Sequence, residues 1–140
     1  KKRSGFTLVE IMVVVVIIGL LATVVAVNVS RQSDEARITT TRVSIASIEN
    51  ALELYHLNNG FYPTTDQGLK ALVEKPSSAP VPNNYPKGGY VKKPPKDAWK
   101  RDFLYYCPGT KGEYDIISLG ADGVEGGEDA GADISNWDPQ

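Results

Sequence analysis

Hydrophobic positions form an unbroken run near the start of the chain. From Phe6 to Val27 the residues are almost wholly apolar, and Glu10 is the single charge among them. As a helix this run would be about 33 Å long at roughly 1.5 Å per residue, which matches a hydrocarbon core of about 30 Å. A helix also satisfies its own backbone hydrogen bonds, as lipid requires. We therefore predict a membrane-spanning helix over residues 6–27.

A second pattern follows, in which apolar residues return at spacings of three and four. Its main positions are Ile45, Ile48, Leu52 and Tyr55. Such a stripe predicts an amphipathic helix that packs one face on a folded head domain. We expect one long helix over residues 6–58, ended by Asn58-Asn59-Gly60 because glycine readily takes a positive φ. The alternative is two helices with a break near residues 30–33.

The head domain, residues 59–140, carries the signals of a β-hairpin. Residues 103–107 and 114–119 are rich in aromatic and β-branched side chains, and the turn-forming residues 108–112 lie between them. A small antiparallel sheet packed on the helix is the architecture that follows. The sequence therefore predicts an α+β fold.

Between the helix and the hairpin the chain is largely irregular. Thr64 and Gln67 have the spacing of a capping box, which predicts a short helix over residues 69–73. Residues 76–96 are rich in proline and lack periodicity, so we expect a surface loop. Three apolar side chains are expected to anchor this loop, namely Tyr85, Tyr90 and Val91.

Charge and cysteine content narrow the classes of function. The net charge is -2, which gives no general electrostatic basis for binding nucleic acid. Lys1, Lys2 and Arg3 precede the apolar run and keep that end cytoplasmic, so the head lies across the membrane. Cys107 is the single cysteine, which excludes an intrachain disulfide. We expect Cys107 to be a small buried hydrophobic residue.

Glu10 is the informative residue of the apolar run. A carboxylate among aliphatic side chains in lipid costs about 2.5 kcal/mol or more, so such a residue usually has a partner. If the chain were cut after Gly5, the new amine of Phe6 could pair with Glu10 in the same chain or in a neighbouring subunit. The alternative is that Glu10 lies at interfacial depth and stays hydrated.

The first ten residues resemble a prepilin processing site, a motif shared by type IV pilins and the pseudopilins of type II secretion systems. The motif is a short basic leader (here residues 1–5) that ends in Gly5, then Phe6, then Glu10 at the fifth mature position. The resemblance implies that a prepilin peptidase cleaves between Gly5 and Phe6 and methylates Phe6, and that Glu10 acts in assembly. Members usually carry a proline where this chain has Val27, so the local reason for unwinding there is absent.

Three blocks of the head resemble the major pseudopilins of type II secretion systems, namely residues 62–69, 95–99 and 118–123. Where that family typically has Asp-Pro-Trp-Gly, this chain has Asp97-Ala98-Trp99-Lys100, and its local turn is expected to differ. The resemblance implies a single-pass inner-membrane protein with a periplasmic head. Its subunits polymerise through their N-terminal helices into a periplasmic filament that promotes export of folded proteins across the outer membrane.

The same resemblance implies the partners of the chain: other copies of itself, minor pseudopilins, the inner-membrane assembly platform and the prepilin peptidase. Two alternatives stay open. The first is a type IV pilin of a surface filament, although many type IV pilins carry a C-terminal disulfide loop that this chain cannot form. The second is a membrane-anchored ligand-binding domain that never polymerises, which would leave the processing motif unexplained.

The C-terminal segment alternates carboxylates with glycines. Repeated carboxylates in one loop repel unless a cation lies among them, and glycines let the backbone turn its carbonyls inward. Ca²⁺ takes six to eight oxygen ligands in irregular geometry, whereas zinc and copper favour the His and Cys ligands that this segment lacks. The pattern would suit a calcium loop, but by itself it does not decide the question. The alternative is a solvated acidic turn.

The resemblance to major pseudopilins also implies a structural Ca²⁺ in this loop. Carried over by position, Asp122, Asp129 and Asp133 would donate side-chain oxygens, and Leu119 and Val124 backbone oxygens. The loop is longer here than in common members, so Glu125 and Glu128 are further candidates. Calcium would then close the loop on the sheet, as a disulfide does in pilins.

No pattern of residues indicates catalysis. His56 is the single histidine and is expected to have a structural or exposed role on the helix. No serine or cysteine has a recognisable nucleophile setting, and no phosphate-binding glycine loop of the G-x-x-x-x-G-K type occurs. We therefore predict that the protein is not an enzyme.

Overall fold

The computed structural model describes residues 5–139, and at residues 26–31 it describes the backbone alone. Most of the predicted leader, residues 1–4, therefore lies outside the described residues. The chain divides into two compact units, Lys1–Glu35 and Ala36–Gln140. The predicted α+β class is confirmed, since one long helix is followed by a small antiparallel sheet.

The first element is a single α-helix of 52 residues, α1, which spans Leu8–Asn59. It runs through Val27 and residues 30–33 without interruption, so the alternative of two helices is wrong. The helix ends as predicted, because Gly60 takes a φ of 82° and its N–H bonds to the His56 carbonyl at 2.6 Å. The predicted start at Phe6 is two residues early, since a cap at Thr7 sets the first turn.

The second half of α1 contributes one face to the core of the head unit. The predicted stripe is confirmed, because Ile45, Ile48, Leu52 and Tyr55 are at most 3% exposed. Burying side chains of this size stabilises a fold by about 1.5–3 kcal/mol each. The rest of the buried hydrophobic core comprises Ala51, Leu69, Ala71, Leu72, Phe103, Tyr105, Tyr114, Ile116 and Ile134.

The segment after α1 is anchored largely as predicted. Thr64 and Gln67 form a capping box, with the Thr64 N–H donating to Gln67 Oε1 at 3.1 Å and the Gln67 N–H to Thr64 Oγ1 at 3.3 Å. The helix expected after it is only a four-residue 3-10 turn, Leu69–Leu72. The irregular loop is held by the Tyr85 hydroxyl, which donates to the Ala71 carbonyl at 3.0 Å.

The sheet has three antiparallel strands, β1 (Leu104–Tyr106), β2 (Asp115–Ser118) and β3 (Ile134–Ser135), in the order β1-β2-β3. The first two strands are the predicted hairpin. The third was not predicted, because two residues are too short to show a period. It matters for the site, since β2 and β3 hold the two ends of the glycine-rich loop, residues 119–133.

Cys107, predicted to be buried, is only half-buried. It directly follows β1, at the point where the chain leaves the sheet. Its N–H donates to Thr65 Oγ1 at 2.8 Å, and its carbonyl accepts from the same hydroxyl at 3.1 Å. The backbone of Cys107 therefore fixes the turn, while its side chain packs at the edge of the core.

The turn at Asp97-Ala98-Trp99-Lys100 keeps a conformation that glycine favours. Lys100 has a φ of 66°, in the left-handed region that non-glycine residues rarely adopt. The Ala98 N–H donates to Thr41 Oγ1 on α1 at 3.2 Å, a bond that a proline could not make. The turn of this chain is therefore tied to α1 through Ala98 and has a non-glycine residue in the left-handed region at Lys100.

Candidate functional site

The first half of α1 presents an uncovered apolar surface. The window Leu8–Val25 is long and apolar enough to cross a membrane, and none of its residues is buried within the chain. Its large apolar side chains range from 50% exposed at Ile17 to 79% exposed at Leu8. In water such a surface would be strongly unfavourable, since apolar area costs about 25 cal/mol per Å². The helix fits a membrane anchor, and something outside the chain must cover it.

Glu10 forms a capping box at the start of this helix. Its Oε2 accepts from the Thr7 N–H and from the Thr7 hydroxyl, both at 2.8 Å, and the Glu10 N–H returns a bond to Thr7 Oγ1 at 3.2 Å. These bonds satisfy donors that the first turn of a helix leaves without partners. In the uncut chain, therefore, Glu10 bonds to Thr7 rather than to Phe6.

The predicted processing residues lie just before the helix. Gly5 and Phe6 are outside α1, and Phe6 is 85% exposed. A Cβ placed on Gly5 would have no neighbouring atom within 4 Å, so the backbone there is open on that side. The peptide bond between Gly5 and Phe6 is therefore accessible to an enzyme.

The glycine-rich loop brings backbone atoms close to Asp122, one of the predicted ligands. The Asp122 Oδ1 accepts from the Val124 N–H at 3.0 Å, while its Oδ2 faces the backbone of Gly127 and Gly131. A Cβ would lie 2.9 Å from Asp122 Oδ2 at Gly127 and 2.8 Å at Gly131, so both backbones lie close against this carboxylate. The Gly131 carbonyl oxygen also faces Gly127.

Asp133 carries an unused oxygen at the other end of the loop. Its Oδ2 accepts from the Gly126 N–H at 2.9 Å, and its own N–H donates to the Gly126 carbonyl at 3.2 Å. Its Oδ1 is buried and has no hydrogen-bond partner. A buried carboxylate oxygen without a partner is costly, and a cation is the kind of ligand that would satisfy it.

The remaining predicted ligands are placed less favourably. Asp129 is exposed and has a φ of 52°, and Val124 is 64% exposed. The Leu119 carbonyl accepts from the Gly123 N–H at 3.0 Å, which leaves it a second lone pair. Within the described part of the chain no three His, Cys, Asp or Glu side chains come together as a metal site. An ion here would depend on Asp122, Asp133 and backbone carbonyls.

Two residues that the sequence analysis did not single out hold the start of this loop. The Arg101 guanidinium donates from Nη1 to the Gly120 carbonyl, and from Nη2 to the Ala121 carbonyl at 2.9 Å. Asp97 is 5% exposed, and its Oδ2 accepts from the Ser118 hydroxyl at 2.8 Å. Neither contact has a signature in sequence, because both join a side chain to residues about twenty positions away.

A separate group of carboxylates lies where α1 meets the hairpin. The Tyr62 hydroxyl donates to Glu53 Oε1 at 2.8 Å and lies 3.3 Å from Glu113 Oε2. Burial and these carboxylates raise the pKa of Tyr62. His56 stacks on the Tyr62 ring with centroids 4.4 Å apart, which is a packing contact. These contacts join α1 to the segment that follows it and to the turn between β1 and β2.

Two family models match the chain and together account for most of it. The family described as "Type II secretion system (T2SS), protein G" matches residues 28–137, and the "Prokaryotic N-terminal methylation motif" matches residues 1–26. The second match agrees with the processing motif around Gly5 and Phe6.

Relatives and a solved structure agree with these matches. A protein of Vibrio cholerae serotype O1 is 53% identical over 140 residues, which cover 100% of this chain and 95% of the relative. One of Pseudomonas aeruginosa is 53% identical over 138 residues, which cover 99% of this chain and 97% of the relative. Both are named type II secretion system core protein G.

The fold is similar to the crystal structure of the major pseudopilin from the type 2 secretion system of enterohaemorrhagic Escherichia coli. The TM-score is 0.69 at 40% identity, over 79% of this chain and 94% of that one. These matches confirm the resemblance to major pseudopilins and favour it over the alternative of a surface pilin. The chain belongs to the type II secretion system protein G family.

Proposed function

We propose that this protein is the major structural subunit of a type II secretion pseudopilus. Its copies polymerise through the first half of α1 into a periplasmic filament that promotes export of folded proteins across the outer membrane. The observation that carries the proposal is the span Leu8–Val25, whose apolar side chains are left uncovered by the described residues of the chain. The role is structural rather than catalytic.

The apolar span has two successive environments in this proposal. Before assembly it crosses the inner membrane, with the basic residues Lys1, Lys2 and Arg3 on the cytoplasmic side and the head in the periplasm. After assembly the same side chains pack against the helices of neighbouring subunits. Minor pseudopilins and the inner-membrane assembly platform are the further partners that this transfer requires.

Processing precedes assembly. A prepilin peptidase cleaves between Gly5 and Phe6 and methylates the new amine of Phe6. The position of both residues outside α1, with Phe6 almost fully exposed, supports this step. Cleavage creates a cation at the end of the helix that carries Glu10.

Glu10 then has two separable roles, as a cap for the helix and as a counter-ion for the amine. Glutamine also completes a capping box, so Glu10→Gln keeps the cap but removes the charge. Thr7→Val does the opposite, because it removes the hydroxyl and keeps the carboxylate. We expect Glu10→Gln to lose most filaments and Thr7→Val to retain them, since only the charge pairs with an amine.

Sedimentation of sheared filaments from cells expressing the secretion machinery measures this difference. Circular dichroism of both full-length variants serves as the control that the head remains folded. Normal filament yield from Glu10→Gln would show that no counter-ion role exists at this position. Loss of filaments from Thr7→Val alone would assign the function to the cap instead.

We further propose that the glycine-rich loop binds one structural Ca²⁺. Asp122 and Asp133 supply side-chain oxygens, and backbone carbonyls that include Leu119 complete the site; Asp129 and Val124 join it only if the loop closes further around the ion. The buried, unpartnered Asp133 Oδ1 and the glycine-lined space at Asp122 Oδ2 support the fit. The ion neutralises carboxylates that would otherwise repel, and so holds the loop against the sheet.

Calcium removal tests this proposal. At a free concentration of about a hundred times Kd, a bound ion stabilises the fold by about 2.7 kcal/mol. For a head of this size we expect EGTA to lower the Tm of the full chain in detergent by roughly 10 °C. Asp122→Asn should abolish the response, whereas Asp66→Asn, an equal charge change at an exposed residue outside the loop, should keep it. An identical melting curve with and without EGTA would refute the site.

A further inference from the structure

The start of the glycine-rich loop is wrapped around the side chain of Arg101. The guanidinium donates to two consecutive carbonyls, those of Gly120 and Ala121. The loop approaches the guanidinium so closely that a Cβ on Gly123 would lie 2.8 Å from Arg101 Cζ. Two parallel donors from one planar group fix both the position and the orientation of this backbone.

Arg101 is itself held by the rest of the head. Its N–H donates to Asp97 Oδ1 at 2.8 Å, and the same oxygen accepts from the Trp99 N–H at 2.9 Å. The other Asp97 oxygen accepts from Ser118 Oγ, the last residue of β2, at 2.8 Å. The turn that presents Arg101 is therefore tied to the strand from which the loop departs.

We propose that Arg101 is a positioning residue for the calcium loop. Leu119 immediately precedes the two carbonyls that the guanidinium holds, and Asp122 immediately follows them. Fixing Gly120 and Ala121 thus fixes the backbone between these two proposed ligands before any ion binds. Such preorganisation raises affinity, because binding no longer has to order those residues. This inference rests on the calcium site proposed above.

The two halves of the loop are then held by different positive charges, the first by the Arg101 guanidinium and the second by Ca²⁺. Arg101 holds residues 119–123 in the absence of an ion. Among the described residues, neither of the two ion pairs involves a carboxylate of residues 122–133. The second half is joined to the first by the Ala121 N–H, which donates to the Ala130 carbonyl at 2.9 Å, and it contains the unpartnered Asp133 oxygen, so we expect it to gain most from Ca²⁺.

Isothermal titration of CaCl₂ into the full chain in detergent tests the role of Arg101. Arg101→Lys keeps the charge but loses the two-pronged geometry, and we expect its calcium Kd to rise about tenfold or more, as for other residues that orient metal ligands. Arg101→Gln should weaken binding similarly, although it removes a positive charge. Lys96→Gln removes an equal charge close to the same turn, where Lys96 forms an ion pair with Asp102 on the surface. This control variant should bind calcium like the wild type.

The outcomes separate this inference from the proposal beneath it. If the wild type binds no calcium, the calcium site itself fails, and the role of Arg101 fails with it. If the wild type and Arg101→Lys bind equally well, the site stands and the positioning role is refuted. Equal weakening in Lys96→Gln would mean that the loss of affinity is not specific to the Arg101 guanidinium, which also refutes the positioning role.

Amide hydrogen exchange of the wild type gives a second measurement, which needs no variant to fold. In EGTA we expect the Gly123 N–H, which donates to the Leu119 carbonyl at 3.0 Å, to stay protected, because Arg101 holds that half of the loop. The N–H groups of Gly126 and Asp133 should exchange faster when calcium is removed. If all three amides open together in EGTA, Arg101 does not hold the first half and the inference is wrong.

Discussion

Lys100 shows how one residue can depart from a family pattern without changing the fold. Its φ of 66° lies in the left-handed region, where a side chain crowds the backbone and glycine does not. The turn is kept because Asp97 accepts from the N–H groups of Trp99 and Arg101, and because Lys100 N–H donates to the Asp97 carbonyl at 3.0 Å. These bonds offset the strain at Lys100.

Replacing Lys100 with glycine should therefore stabilise the head. Removal of the left-handed strain is worth about 1 kcal/mol, and the exposed lysine side chain makes no hydrogen bond or ion pair with the described residues that would be lost. Urea denaturation of the full chain in detergent measures the change in the free energy of unfolding. Lys100→Ala is the matched control, because alanine keeps the Cβ and hence the strain. A glycine variant no more stable than the alanine variant would show that the turn is not strained.

Individual residues also show which parts of the candidate site the sequence could predict and which it could not. The carboxylates and glycines of residues 119–133, together with the resemblance to major pseudopilins, led to the prediction of a calcium loop, which stays a prediction. The role of Arg101 was not, because its partners are carbonyls, which every residue possesses. A side chain that bonds to backbone leaves no complementary residue type to find in a sequence.

Periodicity in the sequence predicted the long secondary-structure elements and missed the short ones. The apolar run and the stripe from Ile45 to Tyr55 predicted α1, and two β-prone runs predicted β1 and β2. The strand β3 has two residues and the 3-10 turn has four, too few for a pattern to repeat. The start of α1 at Leu8 was set by the bonds between Thr7 and Glu10 rather than by the limits of the apolar run.

The turn between β1 and β2 is closed by a buried carboxylate, and this predicts a dependence on pH. Asp115 is 1% exposed, and it accepts from the N–H and hydroxyl of Thr110 at 2.6 and 2.7 Å and from the Lys111 N–H at 3.2 Å. Burial alone would raise the pKa of Asp115, but these bonds and one from Gly112 outweigh it and hold the pKa below its ordinary value of 3.8. The carboxylate therefore stabilises the folded state above the unfolded pKa, and this contribution is lost as pH falls through the folded pKa.

Asp115→Asn should destabilise the head by about 1 kcal/mol or more at neutral pH, because charge-assisted hydrogen bonds are lost. The difference from the wild type should shrink below about pH 4, where the wild-type carboxyl also becomes protonated. Thermal melts at a series of pH values measure both effects. Asp102→Asn, which alters an exposed ion pair, should cause little change at any pH. A constant difference between Asp115→Asn and the wild type down to pH 2 would contradict this account of the turn.

At the scale of the whole molecule, each compact unit has its own chemistry. The head unit, Ala36–Gln140, buries a core of apolar side chains within the chain, as a folded domain does. The first unit, Lys1–Glu35, contains a span that buries none of its own surface. Sequence predicted this contrast, because hydropathy shows which residues avoid water. It could not show what covers them, because whatever does so lies outside the chain.

The central claim is that the chain leaves the membrane as a processed subunit of a filament. Intact-mass spectrometry of the chain in sheared filaments, from cells that express the secretion machinery, tests this claim most directly. The account predicts a subunit that begins at Phe6 and carries one added methyl group on its amine. Chain found only in the inner-membrane fraction, or filament subunits that retain Gly5, would contradict it.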